Sequence, residues 1–301
     1  MDFNTVLNAH AAYKTKLIKW LLGVGGALLI MIIIAVCVKD LSTYLYYGIF
    51  VLLFGLLIVA FATRKSKEEY RRAYKAYFVE KNLAAVFTEL SYYRDLGLNS
   101  NILRNTGMIN TGDRYHSNDL VSGKYKDTDF TQADVHIETE HTDSDGNTHY
   151  STIFRGRWMI FDFPRQFNFR LQVVQRGFGA AMRRSSRATT GRRFERIRVE
   201  SPEFNKLFKV YAEDGFETFY LLDPSFIHNI VQLKQIHKGK IMLGFSNNQL
   251  FVGLNDGKDA FEPPFVFKKL DEAAEITKVT KDIHLITDFV DQLKLNNKLF
   301  K

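Results

Sequence analysis

The sequence predicts an α+β protein in which an N-terminal two-helix transmembrane hairpin precedes a cytosolic domain with a mainly antiparallel sheet and flanking helices. Two long apolar runs near the start of the 301-residue chain predict the hairpin. Farther along, segments rich in β-branched and aromatic residues alternate with turn-forming segments, which is typical of antiparallel strands. Two later segments carry apolar residues at helical spacing and predict helices that flank the sheet.

The two apolar runs cover residues 20–38 and 44–62, and each is long enough to cross a bilayer as a helix. Neither run contains an ionisable Asp, Glu, Lys, Arg or His. Because the linker between them has only five residues, the two helices should form an antiparallel hairpin. The run lengths disfavour a buried hairpin in a soluble domain, and the late start of the first run disfavours a cleaved signal peptide.

Basic residues flank the hairpin on both sides. Three lysines precede the first span and five basic residues follow the second: Lys14, Lys16 and Lys19, then Arg64, Lys65, Lys67, Arg71 and Arg72. Positive residues collect on the cytoplasmic side of a membrane, so both termini are expected there. The uncharged interior of the spans argues against a transport pathway, because pores and carriers place ionisable groups in mid-membrane.

Small residues in the spans permit close helix packing. Ala27 and Gly55 fall at a similar depth, which predicts a close crossing of the two helices. Self-association of two chains through the same face is an equal alternative.

Three regions follow from this pattern: residues 1–63 with the hairpin, a linking helix at 64–97, and an α+β domain at 98–301. The linking helix should run from Arg64 to Leu96 and end at Gly97, with its tyrosines and phenylalanines packed on a neighbouring surface. The chain has 26 Phe and 14 Tyr, which indicates a folded body. Its single cysteine, Cys37, excludes an internal disulfide.

The remaining elements are predicted from periodicity and turn residues. Strands at Lys124–Glu140 and His149–Phe163 should form a hairpin around the turn at 142–147. Further strands are expected at Phe208–Tyr211, Thr218–Leu222 and Phe265–Phe267, and a second hairpin at Lys240–Phe245 and Gln249–Gly253. Asp223-Pro224 predicts the start of a helix, and a C-terminal helix should cover residues 272–295.

A series of short motifs occurs in a fixed order along residues 70–254. They are Asp113-Arg114-Tyr115, Asp119-Leu120-Val121-Ser122-Gly123, Val135-His136, Phe154-Arg155-Gly156, Glu203-Phe204, Phe208-Lys209-Val210-Tyr211, Asp214 and Tyr220-Leu221-Leu222. Together with the preceding hairpin, this series resembles the bacterial membrane proteins grouped as domain of unknown function 3137. The resemblance implies a bacterial membrane protein from a family without an established activity. Together with the two predicted spans and their basic flanks, it predicts a multi-pass protein of the bacterial inner membrane.

An arginine-rich loop at 176–198 is not part of that family pattern. It contains eight arginines and one acidic residue, Glu195, and it is rich in Gly, Ser, Ala and Thr. Such a loop near a membrane should be drawn to anionic phospholipid headgroups. A solvated loop with no partner is an alternative, and nucleic acid is disfavoured because only two aromatic residues accompany the charge. The candidate lipid-binding residues are Arg176, Arg183, Arg184, Arg187, Arg192, Arg193, Arg196 and Arg198.

Three smaller clusters could carry chemistry, and each has a plainer interpretation. His136, Glu138 and Glu140 share one strand face near His141 and His149, as metal ligands do, but exposed strand faces look the same. Asp143, Asp145 and Asn147 imitate part of a calcium loop, but a plain turn fits better. The charged residues Asp113, Arg114, Asp119 and Arg155 form either a site or a buried ion pair.

No sequence motif commits to a reaction, a cofactor or a metal. The predicted function is therefore that of a membrane-anchored interaction or scaffold domain, with the membrane, anionic phospholipid and an unidentified protein as partners, and with self-association through the hairpin as a further option. An enzyme or metal-binding protein with an unrecognised site is the first alternative. Nucleic-acid or other polyanion binding through the arginine-rich loop is the second.

Overall fold

The chain divides into two compact units in the computed structural model, which describes residues 1–38, 41–178 and 194–295. The first unit comprises Met1–Lys81 and Glu262–Thr277. The second comprises Asn82–Phe261 and Lys278–Lys301.

Two long helices begin the first unit. Helix α1 covers Phe3–Val38 and helix α2 covers Leu41–Tyr74, after which a π-helical segment covers Lys75–Glu80. Both helices are long and apolar enough to cross a membrane. Only 6% of the most apolar stretch of α1 and 17% of that of α2 are buried. Because these apolar faces lie open rather than inside a core, the two helices suggest a membrane anchor. Helix α1 begins well before the predicted span at 20–38, because residues 3–19 are also helical.

The two helices approach closely at Gly55. A Cβ atom built on this glycine would lie only 2.8 Å from a methyl group of Val24, a distance that real Cβ atoms do not reach. The predicted close crossing is therefore present at Gly55, with Val24 in contact rather than Ala27. A larger side chain at this position would require the Val24 side chain or the helices to shift.

Aromatic rings join the start of α1 to the end of α2 and the π-helical segment. The Phe3 ring lies 6.0 Å from the rings of both Tyr77 and Phe78, and the His10 ring lies 5.1 Å from that of Tyr70. Val6, which lies between Phe3 and His10 in the sequence, is fully buried. Of the predicted aromatic face, Tyr70, Tyr77 and Phe78 pack against α1.

A buried ion pair lies at the end of α2. The Lys75 side chain is fully buried, and its Nζ lies 2.6 Å from Oε1 of Glu262. Nε of Arg71 donates to the same oxygen at 2.9 Å. Burial alone would raise the pKa of Glu262, but the Lys75 and Arg71 cations hold this pKa below its ordinary value. The Glu262 carboxylate thus pairs with both cations, and Arg71 also lies 4.0 Å from the Glu68 carboxylate.

The second unit contains one antiparallel sheet, to which seven strands of the described residues contribute. Their bounds are β1 Thr88–Tyr93, β2 Arg114–Tyr125, β3 Thr128–Thr142, β4 Thr148–Gln175, β5 Glu195–Ile197, β6 Phe208–Ala212 and β7 Lys240–Asn255. The strand order is β1-β2-β3-β4-β6-β5, and β7 pairs with β4. The predicted α+β class with a mainly antiparallel sheet is confirmed.

Strand β4 is the centre of this sheet. In its first half β4 lies between β3 and β7, and in its second half it lies between β6 and β7. Strands β1 and β5 are at the ends of the strand order. A cluster of buried side chains from β3, β4 and β7 packs with the segment around the short helix α4, Ser100–Thr106. Its largest members are Phe154, Trp158 and Phe251.

Helices complete the described structure. They are α3 Lys81–Val86, α5 Pro202–Leu207, α6 Gly215–Leu221, α7 Pro224–Ile236 and α8 Glu272–Leu293. Asp223 caps α7 as predicted, because its carboxylate accepts from the backbone N–H of Phe226 at 2.7 Å. The predicted C-terminal helix is confirmed as α8, with an end two residues earlier.

Two predicted elements near the start and end of the sheet differ from the structure. The linking helix ends at Val86 rather than Leu96, because residues 88–93 form β1 and pair with β2. Residues 240–255 form one long strand instead of a hairpin, because Asn247 adopts a left-handed φ of 55° and absorbs a local irregularity while the pairing with β4 continues.

Two further predicted strands are wrong. Residues 218–221 belong to helix α6 and Leu222 caps its end, because Asp214 accepts from the backbone N–H groups of Phe216 and Glu217 and starts a helix. Phe265–Phe267 forms a turn, in which the Lys268 N–H donates to the carbonyl of Phe265. Both errors reflect local hydrogen bonds that override the β-propensity of aromatic residues.

Candidate interaction site

The structure describes three of the eight candidate arginines. Arg196 and Arg198 are exposed on and just after the edge strand β5. Arg176 follows β4, and its guanidinium donates two hydrogen bonds to the carbonyl of Asn205, at 3.1 and 3.0 Å. The other five candidates, Arg183, Arg184, Arg187, Arg192 and Arg193, lie outside the described residues.

Helix α6 presents a row of exposed aromatic side chains beside this edge. Phe216 is 84% exposed, Phe219 51% and Tyr220 56%. The opposite side of the helix is buried through Thr218 and Leu221. Gly215, the first residue of α6, lies in contact range of the Ile197 side chain on β5. Monomeric proteins rarely expose several large apolar side chains together, so these three exposed rings indicate a binding surface.

A groove of about 630 Å³ opens between the segments that carry α5, α6 and α7. Two caps position its walls: the Ser201 hydroxyl accepts from the Phe204 N–H at the start of α5, and Asp223 starts α7. The apolar part of the lining consists of Val199, Phe219, Leu222, Pro224, Ile227 and Val231.

The polar part of the groove lining is acidic. Glu200 and Glu203 are exposed, and Ser201 and His228 complete the set. No lysine or arginine is among the residues that line the groove. An apolar floor with an acidic rim complements a ligand that is apolar on one side and positively charged on the other.

Sequence reasoning missed this groove. Its residues come from three short elements, and one of them, α6, was predicted to be a strand. The signal that could have found α6 was the Asp-Gly pair at 214–215 followed by aromatic residues at positions 216, 219 and 220, which is a helical spacing.

A buried charge network lies elsewhere in the second unit. Arg157 on β4 is 5% exposed, and its guanidinium donates to the backbone carbonyl of Asp282 at 2.8 Å. The same guanidinium lies 3.4 Å from the carboxylate of Asp282 and 3.6 Å from that of Asp256. One arginine thus holds two carboxylates inside the fold.

Asp134 is the register partner of Arg157 on the neighbouring strand β3. It is 3% exposed, and neither of its carboxylate oxygens has a hydrogen-bond partner among the described residues. Burial raises the pKa of Asp134 well above its ordinary value; Arg157 opposes this rise, and the carboxylates of Asp259 and Asp119 add to it. The burial of Asp134 could not be predicted from the sequence, because a single Asp in a strand usually faces solvent.

The predicted histidine and glutamate cluster does not converge on one point. Nε2 of His136 lies 3.9 Å from Glu138 and 3.0 Å from the Thr152 hydroxyl. Glu140 instead accepts a hydrogen bond from Tyr150 at 2.6 Å. His149 lies nearest to Asp143, at 3.4 Å. These groups are spread along the open face and tip of the β3–β4 hairpin.

The residues that imitate a calcium loop form a plain turn. The Asp143 carboxylate accepts hydrogen bonds from the backbone N–H groups of Asp145 and Asn147, at 3.0 and 2.8 Å. These bonds, with that from Asn147 the strongest cause, lower the pKa of Asp143. The carboxylate therefore serves the turn itself.

The charged residues of the family-like motifs also lie apart. Asp113 accepts a hydrogen bond from the Glu140 N–H, and the Arg114 guanidinium stacks 3.3 Å from the centre of the Tyr150 ring. Asp119 is buried and accepts hydrogen bonds from Tyr92 and Asn118. Arg155 is exposed. The structure does not bring these four residues together.

The fold and these surfaces define a class of protein: an antiparallel α+β unit in a chain that carries two candidate membrane helices. The model of one family, described as protein of unknown function (DUF3137), matches residues 152–295 and confirms the predicted resemblance over that range. The matched range includes Phe154-Arg155-Gly156, the groove and the arginine-rich loop. Asp113-Arg114-Tyr115 lies before it.

Comparison with other proteins adds little about activity. No curated protein matches the sequence. Among solved structures, the crystal structure of the mycobacterial trehalose monomycolate transport factor A, TtfA, is similar at 10% sequence identity, with 74% of this chain and 95% of that chain covered and a TM-score of 0.36. A similarity of this size carries no argument about function.

Proposed function

We propose that the protein is a membrane-anchored interaction domain, whose groove between α5, α6 and α7 binds a positively charged, amphipathic segment of a partner protein. The groove is the observation that carries the proposal. We further propose that the hairpin crosses a bacterial inner membrane with both termini in the cytoplasm, which keeps the groove near other membrane proteins.

The chemistry of the groove supports this choice of partner. Six apolar residues form its lining, and two exposed glutamates stand at its rim. Its volume of about 630 Å³ falls within the range of about 300–1,000 Å³ that is typical of ligand sites in proteins. Membrane proteins carry Lys and Arg next to apolar residues at the cytoplasmic side of their spans, and such segments fit this groove.

Site-specific crosslinking in native membranes tests the proposal. p-Benzoylphenylalanine placed at position 219, on the rim of the groove, should give a discrete adduct on irradiation. The same group at position 150, on the β3–β4 hairpin, is the matched control and should give none. Mass spectrometry of the adduct should find a crosslinked peptide that contains both Lys or Arg and large apolar residues.

Charge reversal separates specific docking from random collision. Replacing both Glu200 and Glu203 by lysine should remove the adduct at position 219, because the rim would then repel a positively charged segment. Both side chains are on the surface, so folding should be unaffected. An adduct that survives the double substitution, or one that carries an acidic peptide, would contradict the proposal.

Contact with anionic lipid is the second candidate function, and the exposed aromatic row of α6 favours it. Phe216 and Tyr220 stand beside the strand that bears Arg196, and aromatic rings with arginines are typical of surfaces that bind at a membrane interface. Each arginine near an anionic leaflet contributes about 1 kcal/mol to membrane binding, so the arginine-rich loop and β5 together would bind the lipid surface strongly.

An environment-sensitive label tests the lipid contact in the intact chain. In a Cys37→Ser background, a nitrobenzoxadiazole label on Phe216→Cys should brighten in nanodiscs that contain phosphatidylglycerol and not in those of phosphatidylcholine. A label on Ser144→Cys, beside two aspartates at a hairpin tip, should not respond. The brightening should vanish near 1 M salt, where the screening length is about 3 Å.

Seven arginines should be required for this response through their charge. Replacing them by glutamine should abolish the brightening and replacing them by lysine should keep it, because both lipid headgroups and salt act on charge alone. Arg176 is left in place because it holds the carbonyl of Asn205. An equal response from the glutamine variant would refute the lipid contact. The residues to change are Arg183, Arg184, Arg187, Arg192, Arg193, Arg196 and Arg198.

A further inference from the structure

Residues 263–269 carry an exposed apolar and basic surface, and we call this segment the Phe265 turn. The Phe265 side chain is 73% exposed and that of Phe267 is 43% exposed, and the centres of the two rings lie 5.4 Å apart. Lys268 and Lys269 follow directly and are also exposed. Monomeric proteins rarely leave large apolar side chains together in water, so the paired rings indicate a surface that binds a partner.

The local structure keeps both rings of the Phe265 turn on the outside. The backbone N–H of Lys268 donates to the carbonyl of Phe265 at 2.8 Å, which closes the turn around Val266 and Phe267. Val266 is 3% exposed and Leu270 is 6% exposed, so these two side chains anchor the turn in the fold. The buried Val266 therefore separates two rings that face solvent.

The Phe265 turn has the chemistry that the groove between α5, α6 and α7 requires. The groove has an apolar lining, and Glu200 and Glu203 are exposed at its rim. The turn carries two apolar rings followed by two ammonium groups, so it complements both parts of the groove. No ion-pair partner is found among the described residues for these two glutamates or for the two lysines.

Both surfaces are open in the single chain. The rings of the Phe265 turn are exposed, and the described residues that line the groove all fall between positions 199 and 231. A partner from outside the chain is needed to cover either surface. A second copy of the chain offers the complement of each.

We propose that the Phe265 turn of one copy docks into the groove of a second copy, with its two rings on the apolar lining and its two lysines beside the acidic rim. This inference rests on the proposed function, because it names the partner of the groove. Since the turn and the groove are different surfaces, two copies can exchange them reciprocally in a closed dimer, or more copies can form a ring.

Crosslinking between two differently tagged copies tests this contact in native membranes. p-Benzoylphenylalanine at position 219 of a full chain with one tag should capture a full chain that carries the other tag. Mass spectrometry of the adduct should find the crosslink within residues 263–269 of the captured copy. The same group at position 150 is the matched control and should capture no second copy.

An exchange of charge between the two copies tests the pairing itself. Glu200→Lys with Glu203→Lys in the photoreactive copy should lower the adduct yield about tenfold or more, because like charges would then face each other across the contact. Lys268→Glu with Lys269→Glu in the other copy should have the same effect. Combining the two double variants should restore the adduct, since the charges are complementary again.

A matched control changes the same charge elsewhere on the chain. Lys238 and Lys258 are also exposed, and changing both to glutamate in the captured copy should leave the adduct yield unchanged. Equal loss from this control would contradict a specific contact.

The results separate this inference from the proposed function. An adduct at position 219 with a basic, apolar peptide of another protein would overturn docking between copies and leave the proposed function of the groove intact. The absence of any adduct would overturn both. A crosslink confined to one chain, or a combined variant that does not regain the adduct, would also overturn docking between copies.

Discussion

Replacing Arg157 by methionine should lower the free energy of unfolding of the second unit by about 3–5 kcal/mol, the cost of breaking a buried ion pair from one side. The guanidinium is 5% exposed and is shared by Asp256 and Asp282, whose side chains are themselves 6% and 15% exposed. Methionine keeps most of the volume but supplies neither charge nor donor. Both carboxylates would then have to be buried without this cation, or drawn out to water.

Tryptophan fluorescence can report this loss for the second unit alone. Trp158 follows Arg157 in the sequence and is fully buried. The substitution Trp20→Phe removes the other tryptophan of the chain. Urea titration of the emission of Trp158 should therefore give the stability of its surroundings. Arg155→Met, on the same strand but exposed, is the matched control and should change stability by about 0.5 kcal/mol at most. Equal effects of the two substitutions would refute the role given to Arg157.

Replacing Glu262 by glutamine should destabilise the first unit by about 3 kcal/mol, for the same reason with the charges reversed. Lys75 is fully buried, and its ammonium lies 2.6 Å from Glu262. A neutral amide at position 262 would no longer offset the positive charge of the Lys75 ammonium or of the Arg71 guanidinium. Circular dichroism melts in detergent would measure the change. Glu69→Gln, at an exposed position of the same helix, is the control and should have a small effect.

The dependence on pH provides a second check of the same ion pair. Because Lys75 and Arg71 hold the pKa of Glu262 below its ordinary value, the unfolded chain binds a proton there more readily than the folded chain. The stability that Glu262 contributes is therefore complete above the ordinary carboxyl pKa and is lost as the pH falls through the folded value. The difference between wild type and Glu262→Gln should shrink on acidification, and a constant difference would contradict the assignment.

Elements with a strong and local signal could be predicted from the sequence. The two apolar runs, the turn at 142–147, the cap at Asp223 and the C-terminal helix all agree with the structure. In each case, residues close in sequence determine the conformation. The close approach at Gly55 follows the same logic, since the absence of a side chain is visible in the sequence.

Elements that depend on distant partners could not be predicted. Residues 240–255 look like a hairpin because Ser246-Asn247-Asn248 favours a turn, yet pairing with β4 keeps the strand continuous. Helix α6 is an exception, because its Asp214 cap is local and visible in the sequence, but the aromatic composition of Thr218–Leu222 favoured a strand. The groove, Asp134 and Arg157 were missed for a related reason, since burial of a charged residue is decided by strands far away in sequence.

The length of β4 has a consequence for how the protein is made. This strand covers Thr148–Gln175, and one of its partners, β7, begins only at Lys240. During synthesis, β7 pairs with β4 only after about sixty-five further residues have been added. Until then, the backbone N–H and C=O groups on that edge of β4 have no β7 partner. Open strand edges invite pairing with other chains. The nascent chain is thus most exposed to aggregation before β7 leaves the ribosome.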